Sequence, residues 1–183
     1  MERAGNKFIL LDRDGVINAD RPGSVLSVDD FALLPDVDRA IGLLNRKGYR
    51  VLVITNQACV GRGELTLREL DRIHVKMRER LSAGSAHVDA IFLCPHTDAD
   101  DCDCRKPRPG LVKQAQLEFG FEPRQTWLVG DDRRDILAAL AAGCRPALVR
   151  TGKGKQIDAP PAVPVFADLM DFAQQIGDAD ENQ

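Results

Sequence analysis

Residues 8–16 read Phe8-Ile9-Leu10-Leu11-Asp12-Arg13-Asp14-Gly15-Val16, four apolar residues in a row followed by two acids around an arginine and then a glycine. A short apolar run without polar alternation reads as a strand buried on both faces, and strands of that kind belong to parallel sheets covered by helices. Four further runs share the pattern: Val51 to Ile54, Ala90 to Leu93, Trp127 to Val129 and Ala147 to Val149.

Helical patterns with marked ends lie between them. Pro35-Asp36 opens a helix carrying Val37, Ala40, Ile41 and Leu44, with Gly48 as its stop. Thr66 to Glu69 has the form of a capping box, and Leu67, Leu70, Ile73, Met77 and Leu81 follow as one apolar stripe. Two more helices are expected over 110–119, ended by Gly120, and 132–142, ended by Gly143. Strand and helix therefore alternate, which predicts an α/β fold: a doubly wound, Rossmann-like parallel sheet with helices on both faces and right-handed crossovers. Val163 to Phe166 reads as a short edge strand, Leu169, Phe172 and Ile176 as a last packed helix, and 177–183 as a disordered tail.

The chain has 183 residues, which suggests a single domain over 1–183 with a core that needs no covalent staples. A net charge of -3 offers no electrostatic footprint for nucleic acid. No stretch approaches the roughly 18 apolar residues of a membrane span. The start, Met1 to Lys7, leads into the first strand without a signal-peptide hydrophobic region, so a cytoplasmic protein is expected. The absence of a second apolar surface pattern suggests a monomer.

In sheets of this kind ligands lie beyond the carboxyl ends of the strands. Those ends carry Asp12-Arg13-Asp14, then Thr55-Asn56-Gln57, then the approach to Arg105-Lys106-Pro107, then Gly130-Asp131-Asp132. Acids, a hydroxyl and a cationic pair thus converge on one edge. Cys94-Pro95-His96 and Cys102-Asp103-Cys104 place three thiols and one imidazole close together, a plausible closed tetrahedral zinc site with a structural role. The competing reading is adventitious thiols or a disulfide. Cys59 and Cys144 are left as free thiols, and His74 and His87 read as surface or packing residues.

Taken in order, the four strand-end segments resemble the motifs of the haloacid dehalogenase (HAD) superfamily of phosphatases, over nearly the whole chain to about Thr151. The resemblance implies a HAD-like core without a large cap domain and magnesium-dependent hydrolysis of a phosphomonoester through an aspartyl-phosphate. Asp12 is then the nucleophile, and Asp14 protonates the departing alkoxide before taking a proton from water. Thr55 donates to a phosphoryl oxygen and Lys106 neutralises developing charge. Magnesium falls to the Asp12 carboxylate, the Asp14 main-chain carbonyl and Asp131. Asp135 either orients a metal water or Lys106, or is a first-turn helix carboxylate.

A zinc loop over 94–104 running into Cys-Arg-Lys-Pro resembles the histidinol-phosphatase and heptose-bisphosphate phosphatase branch, with the closer likeness to the heptose-bisphosphate members. That implies a small sugar phosphate as partner, in lipopolysaccharide or nucleotide-activated heptose metabolism, met by Arg13, Asn18, Asp20, Arg21, Pro22, Gly23, Asn56, Gln57, Arg105 and Asp132. Histidinol phosphate is the alternative substrate. A non-catalytic, zinc-stabilised binding module is the alternative of a different class.

Overall fold

A computed structural model of the protein describes residues 7–176; the expected tail at 177–183 lies outside the described residues. The elements in chain order are β1 (Lys7–Leu11), α1 (Val37–Arg46), β2 (Tyr49–Asn56), α2 (Ala58–Gly61), α3 (Leu67–Ala83), β3 (Ala90–Cys94), α4 (Gly110–Phe119), β4 (Trp127–Gly130), α5 (Arg133–Ala142), β5 (Arg145–Val149), β6 (Val165–Phe166) and α6 (Leu169–Gln175). The six strands form one sheet in the order β3-β2-β1-β4-β5-β6, and every pairing is parallel.

Both faces of the sheet are dry, which is why its strands show no polar alternation. Ile9 and Leu11 of β1 join Val51, Val53 and Val129 on the face covered by α1, α3 and α6. Phe8 and Leu10 point the other way, with Leu52, Ile54 and Leu128, under Leu111, Val112 and Ala115 of α4. The strand order reverses at β1, flanked by β2 on one side and β4 on the other. The crevice beyond its carboxyl end is therefore the topological switch point, where ligands bind in such sheets.

Local signals hold at most helix ends. Thr66 and Glu69 make the reciprocal capping box, and α4 and α5 end at Gly120 and Gly143 with φ of 68° and 78°, left-handed values that a glycine adopts without strain. Three details differ from expectation. The apolar stripe of α3 begins at Leu70, because Leu67 in the first turn is 56% exposed; His74 takes the packing alternative of its two readings and lies on the buried face. β6 starts after Pro164, whose missing N–H suits an edge position. The short turn of helix α2 follows β2 directly. Among the described residues no helix is long and apolar enough to cross a membrane.

Candidate active site

Asp12 immediately follows the last residue of β1 at the switch point, and its Oδ1 lies 2.8 Å from Lys106 Nζ. The same ammonium lies 2.6 Å from Asp135 Oδ1 and donates to the Ile54 carbonyl at 2.8 Å. Lys106 is held there by Asn56, which accepts its amide at 3.1 Å and donates to its carbonyl at 3.0 Å. Burial opposes the charge on Lys106, but Asp12 and Asp135 outweigh it and hold its pKa far above the ordinary range. Burial pushes Asp12 up to about 7 in spite of Lys106.

Asp135 makes the contacts that both of its readings call for. Its Oδ2 accepts the Asp132 amide at 3.0 Å, closing the capping box of α5, while Oδ1 lies against the Lys106 ammonium.

Asp131, at the end of β4, accepts the backbone amide of Lys153 at 2.7 Å and has no ion-pair partner among the described residues. Burial, then the charge of Asp12, raises its pKa to about 8. Carboxylate oxygens of Asp12, Asp131 and Asp135 lie within 4.8 Å of one another, and the Lys106 ammonium pairs with two of them, Asp12 and Asp135. Three converging acids, two buried and one half-buried, of which Asp131 has no ion-pair partner among the described residues, fit a hard divalent metal. The space is shaped as well: a Cβ on either Gly15 or Gly152 would come 2.0 Å from Asp131 Oδ2.

Asp14 lines the same cleft, its side chain 25% exposed against 13% for Asp12. Burial works to raise its pKa, but Arg13, Asn18 and Gln57 outweigh it and leave it below the usual carboxylate range. The bonds are 2.9 Å from Arg13 Nη2 and from Asn18 Nδ2 to Oδ1, and 2.8 Å from Gln57 Nε2 to Oδ2. Arg13 corrects an expectation, since its side chain is fully buried and spent on Asp14, Gln57 and His74 and so does not reach a substrate. Asn18 and Thr55 are buried too, Thr55 Oγ1 accepting Gln57 Nε2 at 2.8 Å.

Around this floor lies a cleft of about 230 Å³, lined by Asp12, Asp14, Asn56, Gln57, Lys106 and Asp131, with Asp20, Arg105 and Asp132 at its sides. Arg21, Pro22 and Gly23 stand outside that lining. Arg21 turns instead to Asp30 at 2.9 Å, and Ser24 takes the place on the wall.

The cleft has cations that sequence reasoning missed, Arg134 and Lys153, with Arg62 beside them. Arg134 pairs with Asp132 at 3.1 Å, and Lys153 Nζ lies 3.7 Å from Asp132 and 3.9 Å from Asp20. The signal for Lys153 was its place just beyond the end of β5, where the strand-end rule applies. Arg105 donates to Asp98 at 2.6 Å and to the His96 carbonyl at 3.3 Å, which ties the cleft wall to the Cys/His loop.

In that loop the Sγ atoms of Cys94, Cys102 and Cys104 lie 3.1 to 3.6 Å apart, and His96 Nδ1 lies 3.3 Å from Cys104 and 3.6 Å from Cys94. A tetrahedron with metal–sulfur bonds near 2.3 Å has edges of roughly 3.7 Å, so the four donors can share one ion. All five cysteines are free.

Residues 103–172 match the profile of the HAD-hydrolase-like family. The chain is 43% identical over 176 residues to the D-glycero-beta-D-manno-heptose-1,7-bisphosphate 7-phosphatase of Neisseria meningitidis serogroup B, covering 93% of this chain and 94% of that one. Its counterpart in Pseudomonas aeruginosa is 37% identical, covering 92% and 97%. Among solved structures, the D,D-heptose 1,7-bisphosphate phosphatase from B. bronchiseptica, complexed with magnesium and phosphate, superposes with a TM-score of 0.89 at 40% identity, covering 92% of this chain and 97% of that one.

Proposed function

The chain belongs to the D-glycero-beta-D-manno-heptose-1,7-bisphosphate 7-phosphatase family of HAD-like hydrolases, and on that footing we propose that it removes the 7-phosphate of this bisphosphate, in the β form that its relatives' names carry. The observation that carries the reading is the convergence of Asp12, Asp14, Lys106 and Asp131 on the switch point of the sheet, within one polar cleft.

The chemistry follows from the placements. Asp12 attacks phosphorus, the bond from phosphorus to the C7 oxygen breaks, and that oxygen takes a proton from Asp14. Asp14 then takes a proton from a water whose oxygen attacks the same phosphorus, and the bond to Asp12 breaks. Asp14 is in its base form in the free site; the negative charge of an incoming phosphate works against Arg13 and favours the protonated form needed first. Lys106 neutralises the nucleophile and the equatorial oxygens.

Asp12 and Asp131, with the Asp14 carbonyl, are the residues to hold magnesium, which when bound screens the repulsion between the nucleophile and the phosphate. Arg105, Asp20 and Asp132, with Arg134 and Lys153, line the part of the cleft that would receive the sugar and its second phosphate. Cys94, His96, Cys102 and Cys104 would hold zinc as a structural pin, since four protein ligands would leave no open position for a reactant.

The test is phosphate release with magnesium across both anomers of heptose 1,7-bisphosphate and histidinol phosphate. Preferential cleavage of the β-bisphosphate is expected. Faster release from histidinol phosphate would reverse the substrate assignment, and no release from any ester would return the chain to a binding module.

A further inference from the structure

The arginine between the two motif aspartates has no solvent around it: Arg13 is 0% exposed. Its Nη2 donates to Asp14 Oδ1 at 2.9 Å and to Gln57 Oε1 at 3.1 Å, and its Nη1 lies 3.2 Å from His74 Nε2. A guanidinium only donates and stays charged, so Nε2 is the acceptor, and His74 is neutral with its proton on Nδ1. Burial first, and then the charge of Arg13, hold the His74 pKa down at about 4, in agreement with that tautomer.

Gln57 extends the network, giving its Nε2 to both Asp14 Oδ2 and Thr55 Oγ1 at 2.8 Å. Of the three side chains that donate to the Asp14 carboxylate, Arg13 and Gln57 are therefore fixed by one guanidinium. Its bonds to Asp14 and Gln57 stay within the strand-end loops, whereas the bond to His74 reaches α3, a 17-residue helix packed into the core. Burying an ion pair seldom stabilises a fold more than an apolar substitute would. Presenting Asp14 at a fixed angle is a better account of the arrangement.

We propose that His74 is a positioning residue for the acid step. By accepting from Nη1 it fixes the rotation of the Arg13 guanidinium, and the guanidinium holds Asp14 where it hands its proton to the departing oxygen. The inference rests on the phosphatase reading. A sugar alkoxide needs that proton as its bond to phosphorus breaks, whereas a nitrophenolate leaves without one.

Replacing the histidine should therefore act on kcat and depend on the leaving group. General acids contribute on the order of 100-fold or more, so His74→Leu is expected to lower kcat on the heptose bisphosphate by about tenfold or more. KM should stay within about twofold, and the loss on p-nitrophenyl phosphate should be less than about threefold. His74→Gln, whose amide oxygen can stand where Nε2 stood, should restore turnover on the sugar ester. His74→Asn, one carbon shorter, should not. If His74→Leu does not fold, the Gln and Asn variants carry the same comparison on both esters. A wild-type protein inactive on every ester would sink the phosphatase reading. An active wild type with equal losses on the two esters, or with Gln no better than Asn, would overturn the role of His74 alone.

Discussion

Asp135 Oδ1 lies 2.6 Å from Lys106 Nζ, with both side chains buried, so the carboxylate that closes the capping box of α5 also aims the cation of the active site. Removing its charge should loosen the aim while Asp12 keeps its own contact with the ammonium at 2.8 Å. Asp135→Asn is therefore expected to reduce kcat by roughly 10- to 100-fold, the range seen when a partner that orients an active-site ligand is lost. Stability should fall by about 2 kcal/mol, less than for a buried pair left with no second partner. Steady-state phosphate release together with urea unfolding checks both, and wild-type kcat in the variant would mean that Asp135 serves only as a helix cap.

Gly152 fixes the space around Asp131. Its φ is +48°, and a Cβ there would come 2.0 Å from Asp131 Oδ2 and 2.8 Å from the Gly15 Cα. Gly152→Ala should push Asp131 aside and weaken magnesium binding by about tenfold or more, by analogy with other supports of metal ligands. Titration calorimetry with magnesium alone reads this directly; unchanged affinity would remove Asp131 from the metal site.

The sheet was legible because each central strand is a continuous apolar run, and the site because its acids follow strands whose ends must share one edge. What escaped was the layer beneath. Leu70, Ile73, Met77 and Leu81 already define a face on which position 74 falls by helical period. Its polarity left a surface place open beside a packed one, and the partner that decides between them, Arg13, is 61 residues away in sequence. Arg13 misled for the same reason: a cation in a polar turn reads as exposed until three acceptors from three elements are found around it. Arg134 and Lys153 reach the cleft from a helix start and a loop after β5, through side-chain directions that periodicity does not report.

The Cys/His loop predicts a stability effect distinct from catalysis. Cys104 Sγ lies within 3.1 to 3.5 Å of three other donors, so losing a neighbouring thiol dismantles the set. Cys102→Ser should lose bound zinc by elemental analysis and lower the melting temperature, because the free energy of binding a structural metal is also folding free energy. Since the same loop anchors Arg105 through Asp98 and the His96 carbonyl, KM for the bisphosphate should rise in the variant. A metal-free variant that melts with the wild type would deny the loop a structural role.

His74 gives the fold an acid sensitivity whose sign can be worked out. Its pKa is about 4 in the folded protein against an ordinary 6.5, lowered by burial and then by Arg13. Between those values the unfolded chain binds a proton that the folded one refuses, so stability is fully present above pH 6.5 and drains away as pH falls toward 4. The span corresponds to roughly 3 kcal/mol. Urea unfolding at pH 7 and at pH 5 should show the wild-type protein losing on the order of 2 kcal/mol across that interval from this group. His74→Gln, which keeps an acceptor toward Arg13 and cannot titrate, should lose correspondingly less. Parallel losses in the two proteins would mean that His74 takes up its proton as easily folded as unfolded, which a neutral imidazole pressed against a buried guanidinium cannot do.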